Sequence, residues 1–419
     1  ADVSGANNIA MGFAASQSLT SGACNVSIGR SAMSAVTTGC NNVAIGCSTL
    51  SGGTLVGCEN IAIGSATMDA LTSGKHNVAI GAAALGAATD NMCNIAIGIN
   101  ALAGSDGDGD SNIAIGPAAL GGADVSGASN VAIGLNTADA ITSGACNIAI
   151  GETALGAATT GCQNIALGNQ ALGATDVTGH FNIAIGYATA DAITSGGDNI
   201  AIGRLAFSAA TDNTYNIAIG YSALGNSDGS ADCNVAIGRN ALGGADVSGD
   251  NNIALGTNSA DAITSGLRNV VIGTNALSAS ETASYNIAIG SDTMQNGVTT
   301  GDANIAIGAN AGCLLTSGAC NVAIGTNALR NANTGCDNIA IGRAAGDSIS
   351  SATCVINIGY NVDNTVSNTT CIGGTCVMAA QFTATSDCRS KKDIKDLPYG
   401  LDFINLLRPV SYKWKPQED

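Results

Sequence analysis

The fifteen cysteines carry the most latent chemistry in this 419-residue chain, since thiols can bridge, bind metal or attack carbonyls depending on their spacing. Nine sit one or two positions before a recurrent Asn: Cys24, Cys40, Cys58, Cys93, Cys146, Cys162, Cys233, Cys320 and Cys336. They share that place with Asp, Glu, His, Tyr, Arg and Phe, which marks it as exposed. So many exposed thiols suit an oxidising exterior. If consecutive copies stack about 5 Å apart, Cys146 with Cys162 and Cys320 with Cys336 come within disulfide reach. Free thiols in a reducing cytoplasm are the equal alternative. No Cys-x-x-Cys pair points to zinc. His76 and His180 lie in the same variable turn without ligand spacing. The run Gly104-Ser105-Asp106-Gly107-Asp108-Gly109-Asp110 alternates like a calcium loop but lacks its closing Glu, so it reads as an exposed turn. No Lys follows the glycines as a phosphate loop requires. Neither a metal site nor a cofactor is expected.

The element that positions these side chains is a repeat. Asn-(Ile/Val)-Ala-Ile-Gly or a near copy occurs twenty times from Asn8 to Asn338, at twelve intervals of 17 residues and seven of 18. The position after Asn is always Ile or Val, and the third after it is Ile except for Met11, Leu167 and Leu255. These alternate like one face of a short strand. The invariant Gly that follows suits a positive φ or a close backbone approach. Ala lies between the two large aliphatics in eighteen copies, Ser27 and Val271 being the exceptions. A solvated face would vary, so the Ala face is expected to meet another surface closely, with a partner chain the natural candidate.

Eight residues after Asn there is usually one large apolar side chain, such as Met33, Leu50, Leu85, Leu155, Phe207 or Leu329. Six copies have a small residue there, Ser16, Ala138, Ala190, Ala260, Gly312 and Gly346, and each regains the volume three residues later as Leu19, Ile141, Ile193, Ile263, Leu315 or Ile349. A stacked core demands that compensation, because losing one Leu side chain costs roughly 2–5 kcal/mol. Thr-Ser-Gly segments close each coil. The reading is all-β: a β-solenoid, β-roll or β-helix, of about 20 rungs of 17–18 residues, forming a rod of about 100 Å. The repeated Asn either stacks as an amide ladder or merely tolerates a turn.

Composition narrows the function class. Aromatics are 3% and charged residues 11%, against 57 Gly, which does not suit a conventional enzyme core. A net charge of −17 disfavours nucleic acid, which needs a basic stripe. No apolar run is long enough to insert in a membrane as a helix. The chain opens at Ala1 without a leader, as a processed or partly recorded product would.

The Asn-x-Ala-Ile-Gly repeat resembles the head domains of trimeric autotransporter adhesins and similar repeats in phage and large-virus fibre proteins. That resemblance implies three parallel chains packed side by side. The unit here is longer than the roughly fourteen-residue unit of those heads, and a left-handed β-helix with three short sides stays open.

Near Thr385 the composition changes. Residues 1–385 carry 25 acidic and 7 basic groups, and residues 386–419 carry 6 and 7. The tail also holds three of the four prolines and Trp414. Its Ser386-Asp387-Cys388-Arg389-Ser390-Lys391, followed by Leu407-Arg408-Pro409-Val410-Ser411-Tyr412-Lys413-Trp414, resembles the start of the intramolecular-chaperone autoprotease domain that ends phage tailspikes, fibres and endosialidases. The alternative is a solvated charge run. The family's domain is longer than this 34-residue tail, so a small α/β or α+β module with its helical remainder missing is implied. The resemblance makes Ser386 the nucleophile toward the Thr385 carbonyl, Lys391 the general base and Asp387 the group that orients them. A Ser hydroxyl needs such a base, and Arg389 and Lys392 would lower the pKa of Lys391.

The chain thus reads as three segments: a β-solenoid shaft at 1–345, degenerate capping rungs or linker at 346–385, and the chaperone segment at 386–419. The expected protein is a structural fibre of a virus or phage, a parallel homotrimer at the virion or extracellular surface. It is not an enzyme beyond one possible self-cleavage before Ser386. Its expected partners are copies of itself, a host surface receptor or glycan, and other fibre or virion proteins. A bacterial or other cell-surface trimeric adhesin is the alternative.

Overall fold

The computed structural model describes residues 4–105, 109–122, 124–227, 231–244, 246–296 and 299–373, and the backbone of 375–378. The chain divides into two units, Ala1–Cys376 and Val377–Asp419. In the first, every Asn-(Ile/Val)-Ala-Ile-Gly copy forms a three-residue strand, from β1 (Ile9–Met11) to β20 (Ile339–Ile341), and Ile356–Ile358 adds β21. Each strand pairs in parallel with the next in strict register, as where Ile148, Ala149 and Ile150 face Ile165, Ala166 and Leu167. No helix occurs among the described residues. The fold is an all-β parallel β-solenoid of about 21 turns.

The alternation along the strand is as the sequence indicates, but its sides are reversed. The central Ala points into the coil, with Ala149, Ala166 and Ala184 all 0% exposed, while the flanking Ile and Val face outward. The expectation that the Ala face meets a partner chain is therefore wrong. The coil leaves little room at that point, because the large residue of the second half-repeat fills the same interior, and Val271 and Asn357 are the largest residues it holds there. Leu50, Leu85, Leu102, Leu155 and Phe207 are all buried there. Where that position is small, Leu19, Ile141, Ile193, Ile263, Leu315 and Ile349 are buried instead.

The repeated Asn is buried and forms a ladder, which decides between the two readings of it. Asn147 donates its backbone N–H to Asn130 Oδ1 at 3.0 Å, and its Nδ2 to the same oxygen at 3.1 Å and to Gly161 O at 2.8 Å. Its own Oδ1 accepts the N–H of Asn164 at 2.9 Å. The pattern stops where Val355 replaces Asn and donates its N–H to Asn338 Oδ1.

The Gly after each strand has both properties the sequence suggests. Gly151 has φ +136°, and a Cβ there would lie 2.4 Å from the carbonyl oxygen of Gly168 in the next coil. Ordinary side chains also take left-handed backbone at recurring positions, as Cys146 (φ 59°), Thr153 (φ 54°) and Leu155 (φ 51°) do within one coil. Each costs about 1–2 kcal/mol against the right-handed form. The conformation is held because it aims the N–H groups along the stack, to Ala128 O, Leu135 O and Ala171 O, each at 3.0 Å.

The last coils depart from the pattern. In β21 the central residue is Asn357, fully buried where Ala stands elsewhere, and its Nδ2 bonds Asn364 O at 3.1 Å. Strand β22 (Thr369–Ile372) then pairs in parallel with β21, and β23 (Thr375–Met378) comes after it in the chain.

Candidate interaction surfaces

The outward face of the stacked strands is a surface that runs the length of the solenoid. Two aliphatic side chains per coil point away from the core, and Ile9, Ile61, Ile80, Ile148, Ile150, Ile253 and Ile341 are between 37% and 54% exposed. Strict register aligns them into a continuous apolar band, and none of its strand residues in β1 to β20 is charged. With two such groups on each coil, the band offers on the order of 2,000 Å² of apolar surface, more than the few hundred Å² a monomer usually tolerates and comparable to obligate interfaces.

Beyond the strand, side chains stack from one coil to the next. The guanidinium of Arg204 lies 5.5 Å from the ring centre of Tyr221, Arg268 the same distance from Tyr285, and Arg343 4.8 Å from Tyr360. Arg330 Nε meets Asp347 Oδ1 at 3.1 Å, and His76 Nδ1 meets Glu59 Oε2 at 2.8 Å. These pairs lie one repeat apart, a signal present in the sequence once Arg is compared with the residue 17 positions on. Along the same surface, Asn240 Nδ2 donates to Asn258 Oδ1, Asn258 Nδ2 to Asn275 Oδ1, and Asn275 Nδ2 to Asp292 Oδ1, at 3.3, 3.2 and 3.1 Å. Where Tyr221, Ser222, Asn226 and Asn240 meet the backbone of Gly243 and Gly244, there is an open cleft of about 400 Å³.

The cysteines do not pair as expected. Cys146, Cys162, Cys320 and Cys336 are all free thiols. Cys146 and Cys320 stand one residue before the repeat Asn, whereas Cys162 and Cys336 stand two before it. That offset sets Cys162 Sγ against the N–H of Ala145 at 3.3 Å and Cys336 Sγ against that of Ala319 at 3.4 Å. Cys371 is disulfide-bonded. A hydrogen bond from the Arg30 side chain, with a smaller one from Ser48, lowers the pKa of the Cys47 thiol.

Of the remaining candidates, His180 Nδ1 accepts the N–H of Cys162 at 2.9 Å, and Asp110 Oδ1 accepts that of Met92 at 2.7 Å. Asp106, Gly107 and Asp108 lie outside the described residues, as do Ser386, Asp387 and Lys391. No group of three or more potential metal ligands occurs among the described residues, and no helix there is long and apolar enough to cross a membrane.

Among known proteins, no curated sequence matches the chain. Residues 386–419 match the family described as chaperone of endosialidase. The chain thus joins a parallel β-solenoid of about 21 turns to a C-terminal segment of the endosialidase-chaperone type.

Proposed function

We propose that this protein is a structural fibre of a virus or phage, in which three parallel chains pack through the Ile/Val bands of their solenoids and display the turns to a host surface. The observation that carries this reading is the uncharged apolar band, in register over the whole stack, in a chain whose net charge is −17. Burying the bands brings three chains together where they carry no charge and leaves the acidic turns in solvent. Near-identical coils would tolerate a slip of one repeat at little cost. A C-terminal chaperone that aligns three chains before the shaft folds removes that ambiguity, and the match at 386–419 supports such a module here. Residues 346–385 would taper the stack, as terminal repeats commonly do.

Light scattering on the native protein is the test, with about three times the 40.7 kDa chain mass expected. Replacing Ile148 and Ile150 together with Asp should give monomers or aggregates, and a soluble wild-type monomer would remove the reading. Host attachment is tested separately, by binding of the labelled fibre to intact cells.

Self-cleavage between Thr385 and Ser386 belongs to the same proposal. Ser386 Oγ would attack the Thr385 carbonyl carbon as Lys391 takes its proton and Asp387 holds the pair. The C–N bond to Ser386 would then break as Lys391 returns the proton to the departing amine, and water would hydrolyse the resulting ester. Cleavage after assembly would make the shaft kinetically stable, because the module that sets register departs. In the full gene product, Ser386→Ala and Lys391→Ala should each leave an uncut trimer less resistant to heat and detergent. Equal processing in both variants would refute the assignment.

A further inference from the structure

We infer that the cleft beside Tyr221 binds a neutral, hydroxyl-rich sugar ring of a surface glycan. The inference rests on the attachment reading above and gives it a site and a ligand class. The cleft spans three consecutive coils and holds about 400 Å³, within the range of small-ligand sites. It lies past the Gly220 corner, off the apolar strand band. Its floor is backbone, because Gly243 and Gly244 admit no side chain: a Cβ on Gly243 would stand 2.1 Å from Ser222 O, and one on Gly244 2.7 Å from Asp261 O.

The walls supply two kinds of contact. The Tyr221 ring is 44% exposed and is steadied by the Arg204 guanidinium 5.5 Å from its centre, so little side-chain freedom remains to be lost on binding. The polar side chains beside it, Ser208, Ser222, Asn226 and Asn240, are hydroxyls and amides, which both donate and accept hydrogen bonds. Asn226 spends one of its two Nδ2 hydrogens on Gly243 O at 2.9 Å, which fixes the amide against the cleft floor. Asn240 heads the amide chain that runs through Asn258 and Asn275 to the Asp292 carboxylate, which uses one of its two Nδ2 hydrogens and leaves its Oδ1 as an acceptor. Amides linked in this way polarise one another, and the carboxylate at the far end strengthens the acceptor.

A ligand for this cleft must offer several hydroxyls, which donate and accept alike, on one side and a flat C–H face on the other. A neutral pyranose has both. No charged side chain lines the cleft, so an anionic sugar would find no counter-charge in it. An apolar peptide would find one large aliphatic, Leu205, in the lining.

The test applies the assembled native protein to an array of neutral and sialylated oligosaccharides, with saturation-transfer NMR on lactose as the solution measurement. Binding to neutral members is expected. Tyr221→Ala and Asn226→Ala should each weaken it about tenfold or more, as truncation at a binding hot spot does. Tyr187→Ala, an exposed Tyr outside the cleft, should leave it unchanged. Native mass and thermal midpoint of each variant should match wild type, which separates a lost contact from a lost fold. No binding to any neutral sugar, binding confined to sialylated members, or full binding by Tyr221→Ala in an intact trimer would overturn the inference. Attachment to cells that survives Tyr221→Ala would reject the cleft and leave the attachment reading standing. Sugar binding by a fibre that attaches to no cell would do the reverse.

Discussion

The repeat Asn works through its backbone N–H and all of its side-chain polarity at once, in a buried place. Removing one member strands partners in two coils. In Asn147→Ala the carbonyl of Gly161 and the N–H of Asn164 both lose their partner, and Asn130 Oδ1 loses one of two donors. The expected cost is about 2–6 kcal/mol, from about 1–3 kcal/mol for each of the two buried groups left unpaired. It would be read as a lower denaturation midpoint at unchanged native mass. Asn147→Asp should not restore stability, because a carboxylate has no N–H for Gly161. The sequence displayed the Asn period but left open whether it marked a turn or a ladder, since both need Asn at the same spacing. Burial separated them.

At the scale of the element, one coil is three strand residues, a Gly corner and a turn held by left-handed residues. The corner is the least forgiving point, since the Gly151 φ of +136° is open only to Gly and its Cβ position is occupied by the next coil. Gly151→Ala should therefore cost about 3 kcal/mol or more, combining backbone strain and overpacking. Gly86→Ala, where a Cβ would come no nearer than 3.2 Å to another atom, should cost less. Thermal midpoints of the two variants compare them directly, and equal losses would show that the corner does not limit stacking. The strand and its alternation were legible from Ile-Ala-Ile alone. Which side faced inward was not, because period-two patterning gives two faces without naming the core. Ala on the inside requires the width of the coil, which depends on where the chain returns.

For the whole molecule, stacking repeats an electrostatic cost as well as a packing gain. Asp69, Asp139, Asp191 and Asp261 stand at equivalent turns, each followed by Ala and then Leu or Ile, and partial burial raises the pKa of each. A carboxyl group with a higher pKa when folded keeps its proton longer in the folded state. Its stabilising effect is full below the unfolded value of about 4 and is lost as pH rises through the folded value. The shaft should accordingly be more stable at mildly acidic than at neutral pH. Replacing these four with Asn should raise the thermal midpoint at pH 7 and have little effect near pH 4. Asn at the exposed Asp90, Asp198, Asp212 and Asp337 removes the same net charge and is the control. An equal gain in both sets would assign the effect to long-range repulsion instead.

The sequence by itself determined the period, the twenty regular coils, the residues that fill the core when Leu or Ile changes place, and the change of character at Thr385. All of these are local spacing or composition. The tertiary structure decided that Ala lies inside and Ile outside, that Asn forms a buried ladder, and that a one-residue offset keeps Cys146 from Cys162. It also placed Arg on Tyr and amide on amide across coils. Each of these depends on which atoms of one coil lie above which atoms of the next, a relation set by closure of the coil and absent from spacing along the chain.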